Sequence, residues 1–213
     1  MLCLVWKEKD RKGPTKPGAD LYSRFMQILL DNLVSKDLAE GHQSRDEYRV
    51  KLSKLGELAF DAFLEGLVYL YVSKGPDGFD FGGFGRKFTD IGLLHNLKPS
   101  LSSGEEIVDF LHKPIQVFLA AQFIVDELTR EENKTSTRLS KVDSLDTVKK
   151  LAEVLKFVCE LSSDAARAVF KHLQWIGEKE GLTEYNFTES PHPYDFSVEV
   201  CSFIQLYRVT SSL

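Results

Sequence analysis

The chain has 213 residues, enough for one or two domains with a buried core. Apolar residues make up 43% and charged residues 28%, which excludes collagen-like, low-complexity and largely disordered classes. Twenty-seven Lys and Arg against 32 Asp and Glu leave a net charge of −5, so neither nucleic acid nor an anionic membrane is an expected partner.

Met1 to Trp6 is apolar but is followed at once by the charged run Lys7 to Arg11, too short and wrongly flanked for a signal peptide. Residues 1–12 read instead as the end of a helical domain that begins upstream. Gly13, Pro14, Pro17 and Gly18 interrupt any helix, and Asp20 is placed to cap the next one. There Leu21, Phe25, Leu29 and Leu33 recur at i+4, with Met26 and Leu30 beside them. After a polar run from Asp37 to Arg49 the helical period resumes with Leu52, Leu55, Leu58, Ala59, Ala62 and Phe63. Leu67 to Val72 changes to β-branched and aromatic residues, which predicts a strand, although so short a run also fits a helix end. Gly75, Pro76, Gly78, Gly82, Gly83 and Gly85 then require a loop or hairpin tip. With Phe88–Leu97 as a short helix and Glu106–Leu111 as a second strand, residues 13–128 read as a small winged-helix-type α/β unit.

Pro114 suits the first turn of a helix, and Ile115, Phe118, Leu119, Ala121, Val125 and Leu128 form its apolar face. Residues 129–144 shift to polar and mixed-charge composition, a boundary or long mobile loop. Residues 145–213 read as helical. One helix carries Leu145, Val148, Leu151, Leu155 and Val158. A second carries Ala165 to Ile176, with Ser163 as cap and Gly181 as stop, and a third carries Phe196, Val200, Phe203 and Tyr207. The expected fold class is therefore mainly α: a small winged-helix-type α/β unit followed by a helical bundle or superhelical domain. The longest apolar stretch, Val117–Val125, is broken by Gln122 and falls short of the roughly 20 residues of a membrane span. Cys3, Cys159 and Cys201 are too few and too scattered for a disulfide scaffold, so a reducing, cytoplasmic location is expected.

No motif of a hydrolase or zinc protease is present, and the histidines at 42, 95, 112, 172 and 192 lack metal-ligand spacing, so no catalytic residue and no metal site is expected. Gly82 to Thr89 is glycine-rich, yet Lys87 and Thr89 break the spacing by which a phosphate loop encloses its ligand. Arg49, Lys51 and Lys54 are offset by Glu57, Asp61 and Glu65, against a DNA-reading helix. The most informative run is Asp109 to Ala121, where His112 stands at a strand–helix corner. On the residues alone it is either a histidine that satisfies a local carbonyl or a functional group.

Phe110, His112, Gln116, Phe118, Ala120 and Ala121 together form a run that resembles the Phe-x-His-x-x-x-Gln-x-Phe-x-Ala-Ala signature closing the winged-helix domain of NACHT-containing NLR proteins, intracellular innate immune receptors. Leu2–Glu8, Pro14-Thr15, Asp20–Tyr22, Lys54–Phe60 and Ile91–Leu94 resemble further pieces of that family in the same order. Pro114 stands where the family usually has another residue, and Val117 where it usually has Glu. The resemblance implies a regulatory module of a signalling ATPase, which holds the ADP-bound autoinhibited state and relays ligand sensing. His112 would then donate a hydrogen bond to an ADP phosphate, but only alongside the upstream NACHT domain. The same resemblance implies ADP or ATP as ligand of the full-length receptor and none for this chain alone. Further partners it implies are downstream leucine-rich repeats, and further copies of the receptor in a homo-oligomer on activation. The chain alone is expected to be no enzyme, because the family's phosphate loop and Mg²⁺-binding motif lie upstream. The competing expectation is a stand-alone helical protein-interaction module without a nucleotide role.

Overall fold

The computed structural model describes residues 18–39, 45–67, 70–72, 86–97, 106–130 and 138–181. The expected helix end at residues 1–12, the glycine-rich tip and the third helix around Phe196–Tyr207 lie outside the described residues. In chain order the elements are α1 (Ala19–Ala39), α2 (Arg45–Glu65), β1 (Leu70–Val72), α3 (Arg86–Asp90), β2 (Leu94–Leu97), β3 (Glu106–Phe110) and α4 (Lys113–Arg130). A single 3₁₀ turn (Leu139–Lys141), α5 (Leu145–Lys150), α6 (Ala152–Leu161) and α7 (Ser163–Lys179) follow. The protein is mainly helical.

The strands form one antiparallel sheet in the order β1-β3-β2. Leu70 faces Val108 and Leu94 faces Phe110 in register, and all four are buried. His95 pairs with Asp109 on the other face, where His95 is exposed. This alternation is what a sheet covered on one side requires. The expected helix Phe88–Leu97 is thus corrected: its second half is strand β2. Gly92 decides the outcome. With φ at 72° it donates to the Thr89 carbonyl while Leu93 donates to Phe88, a left-handed helix stop that leaves the chain extended.

Three smaller expectations are also corrected. Asp20 is not the cap of α1 but lies in its first turn, 3.6 Å from Arg24. The amide of Ala19 donates instead to Glu160 Oε2 on α6, at 3.0 Å. The single helix expected through Leu145–Val158 breaks at Leu151, which joins α5 to α6 at φ −97° and ψ 6°. Ser162, rather than Ser163, caps α7, because Ser162 is the extended residue whose hydroxyl accepts from the Ala165 amide. Gly181 ends that helix as expected, donating to the Glu178 carbonyl.

α4 is the centre of the molecule. It packs on α2 on one side and on α6 and α7 on another, so buried residues of both expected domains share one continuous core. Tyr22 of α1, Phe118 of α4 and Phe157 of α6 meet as an aromatic triangle, with centroids 6.1, 5.6 and 6.4 Å apart.

The polar stretch expected as a loop over 129–144 is structured at both ends. α4 continues to Arg130, and the 138–144 turn is docked on α2 with Leu139 and Val142 buried. Arg138 drives the docking. One of its terminal nitrogens lies 2.8 Å from both oxygens of Asp61, and the other bonds Glu57. Burial pushes the Glu57 carboxyl up, but Lys54 and Arg138 together outweigh it and hold it below the ordinary value. A depressed carboxylate adds stability above its unfolded pKa and loses it as pH falls through the folded one. Arg138→Ala is therefore expected to cost about 1–2 kcal/mol at neutral pH, because Lys54 and Lys141 still face the two carboxylates. The deficit should shrink as pH falls below the ordinary carboxylate range and the Glu57 carboxyl protonates. Urea titrations of both proteins at neutral and acid pH check this, and an equal deficit at both would refute it.

Candidate functional site

β3 delivers the chain to the corner at Leu111–His112, where the backbone turns into α4. The Leu111 amide still donates to Leu93, at 3.2 Å, so the sheet fixes the corner up to its last residue. The carbonyl of His112 accepts from the Ile115 amide at 2.9 Å, which makes His112 the residue from which α4 starts. Pro114 fits there because its missing N–H falls in the first turn.

Leu111, His112, Lys113 and Pro114 are all exposed, and Leu111 is 49% exposed despite its apolar side chain. The imidazole makes no hydrogen bond or ion pair among the described residues. The reading of His112 as a histidine that satisfies a local carbonyl through its ring therefore finds no partner here. No acidic residue occupies the first turn of α4, so its free amides, the positive helix end, Lys113 and an exposed ring donor stand together. Chemically, such a corner suits an anionic group supplied by another body, and a phosphate fits that description.

One turn later the same motif buries Gln116 to 3% exposure, and its Nε2 has no hydrogen-bond partner among the described residues. A buried amide N–H without a partner costs about 1–3 kcal/mol. Gln116→Met keeps the volume and removes the orphan donor, so it is expected to stabilise the chain by about 1 kcal/mol. A rise in the thermal midpoint would support this, and a fall would mean that Gln116 has a partner that matters.

Phe118, Ala120 and Ala121, the rest of the motif, are buried against the core. The sequence run thus divides between one surface residue and a set that seats α4. A separate groove of about 590 Å³ lies between α1, α2 and α4, with Met26, Leu30 and Phe123 on its floor and Arg49, Asp126 and Arg130 on its rim. His112 does not line it. Arg49 lies on this rim, whereas Lys54 pairs with Glu57 within α2.

Cys159 is fully buried, and burial together with Glu160 pushes its thiol up to about 12, so it stays protonated and unreactive at neutral pH. Among the described residues no group of three or more His, Cys, Asp or Glu could hold a metal ion, and no helix is long and apolar enough to cross a membrane.

Two groups were not marked by motif reading. Arg138 reads in the sequence as one more residue of a polar stretch; the signal for it is the Glu57/Asp61 pair one turn apart on α2. Trp175 escapes periodicity because it faces away from the apolar stripe of α7. No family model matches the chain, and no curated protein matches it.

Proposed function

We propose that the chain is the regulatory winged-helix and superhelical module of an NLR-type innate immune signalling ATPase. The observation that carries the reading is the position of His112: an exposed imidazole without a partner among the described residues, at the corner between β3 and the long helix α4. The order helix, helix, strand, helix, strand, strand, helix, with β3 between β1 and β2, supports a winged-helix unit ahead of the following helices.

In this reading the module hydrolyses nothing itself. His112 Nε2 or Nδ1 donates to a phosphate oxygen of ADP held by the upstream nucleotide-binding domain, and the first turn of α4 adds its positive end. The sheet fixes the corner and the buried part of the motif fixes α4, so a shift of α5–α7 reaches the ring through α4. The module acts in the cytoplasm, with the nucleotide-binding domain before it and leucine-rich repeats after it, and the activated receptor assembles with further copies of itself.

Reading the genomic DNA upstream of Met1 for an in-frame Gly-x-x-x-x-Gly-Lys-Ser/Thr gives the first test; a long upstream reading frame without it overturns the reading. In the longer chain, His112→Leu removes a hydrogen bond to a charged group worth about 1.5–3 kcal/mol, a shift of about ten- to a hundredfold in the closed-to-open ratio. Basal signalling should rise and ADP should be lost faster. In the 213-residue chain the same change should move stability by no more than about 0.5 kcal/mol, as for other exposed positions. Unchanged ADP retention in the longer chain would leave His112 without this role.

A further inference from the structure

α7 turns its apolar side to the core and carries on its outer side a row at i+4 spacing: Arg167, Lys171, Trp175 and Lys179, all exposed. Trp175 is 48% exposed, yet it is held from two sides. The His172 ring stacks on it at 5.5 Å and 29°, and Lys179 Nζ lies 5.3 Å from its centroid. Both neighbours are themselves tied to the 138–144 turn. His172 Nε2 lies 2.6 Å from the Val142 carbonyl oxygen, and Lys179 donates to the Asp143 carbonyl at 2.9 Å. A large aromatic side chain fixed in advance and half open to solvent loses little entropy when something covers it.

The chain that follows α7 has the complementary chemistry. From Leu182 to Tyr207 it contains Glu184, Glu189, Asp195 and Glu199 and not one Lys or Arg. Tyr185, Phe187, Tyr194 and Phe196 are interspersed among these acids. This segment starts beside Lys179, after the turn at Gly181 with φ 78°. The row from Arg167 to Lys179 rises about 18 Å along the helix, and residues 184–199 can extend up to about 55 Å, so they can run back along it.

We propose that residues 184–199 dock across the Arg167–Lys171–Trp175–Lys179 row of α7, with an aromatic ring on the indole and carboxylates against the cations. Arg167 already pairs with Asp164, so Lys171 and Lys179 supply most of the attraction. This inference goes beyond the nucleotide-switch reading and does not depend on it.

The test uses the full chain. Trp6→Phe leaves Trp175 as the sole indole, since the chain has two Trp. Acrylamide, a neutral quencher, then reports its cover. Trp175 is expected to be shielded. Reversing the four acids together (E184K, E189K, D195K and E199K) should raise the quenching constant several-fold. Salt at about 1 M, where the screening length is about 3 Å, should raise it in the unreversed protein. Equal quenching in all three cases overturns the proposal. Carbodiimide coupling of the unmodified chain, mixed as ¹⁴N and ¹⁵N protein, gives a second measurement independent of those variants. Lys171 or Lys179 joined to one of the four acids within a molecule supports the docking. Links between molecules, which would place a second copy on the row, or links confined to Glu178 and Glu180, overturn it.

Discussion

Gly56→Val is expected to lower stability by about 3 kcal/mol and the thermal midpoint by about 6–12 °C. α2 crosses α4 at this glycine. A Cβ built there would lie 2.4 Å from the Leu119 carbonyl oxygen and 3.0 Å from Phe123 Cβ. The nearest obstacle is backbone, so no side chain can swing away, and the two helices must part along the most extensive packing surface among the described elements. At an exposed helix position, Gly→Ala gains about 1 kcal/mol from helix propensity. Gly56→Ala should nonetheless destabilise, by about 1 kcal/mol or more, because overpacking outweighs that gain. The sign of the Gly56→Ala effect therefore separates close approach from propensity. Chemical denaturation measures both, and a stabilised Gly56→Ala would mean that the helices can part at little cost.

Phe118→Ala is expected to cost about 3–5 kcal/mol, in the range for truncating a buried aromatic. The ring is 3% exposed and forms two sides of the triangle with Tyr22 and Phe157, so its loss opens a void where α1, α4 and α6 meet. Because that void touches helices from both halves of the sequence, the chain should still unfold in one transition. Coincident far-ultraviolet and near-ultraviolet melts at a lowered midpoint are the expected result. Two separated transitions would show that residues 18–130 and 138–181 hold together independently.

Much of the helical layout was legible because apolar spacing reports directly on burial. The stripes through Leu29, Leu55 and Leu173 marked the apolar faces of α1, α2 and α7, although α1 runs on to Ala39 and α2 begins at Arg45, beyond the apolar spacing. Strand β2 was not legible. Leu94-His95-Asn96-Leu97 contains no β-branched residue, and only pairing with β3 makes it extended. The start of α2 was obscured because Arg45, Asp46 and Glu47 are polar, although acids in a first turn favour the helix. Composition also misled at residues 138–144. Charge there signals solvent exposure only if the opposite charge is absent, and Glu57 and Asp61 lie 77 or more positions away in sequence. For the candidate site, the corner and its histidine could be read from the strand–helix sequence, whereas the exposure of His112 and the burial of Gln116 depend on which side of α4 meets the core. That choice is made by tertiary packing.

The bond from the Ala19 amide to Glu160 joins positions 141 residues apart and closes the described part of the chain into a ring. Gly18 lies so close that an added Cβ would sit 2.4 Å from the same carboxylate oxygen, so the opening of α1 is pressed against α6 as well as bonded to it. Mechanical tension arriving ahead of residue 18 therefore has a short route. It enters α6 at its C-terminal turn and reaches α7 through Ser162, bypassing the sheet. The leading end of the described chain and its last helices are thus joined by a direct contact that does not pass through the strands.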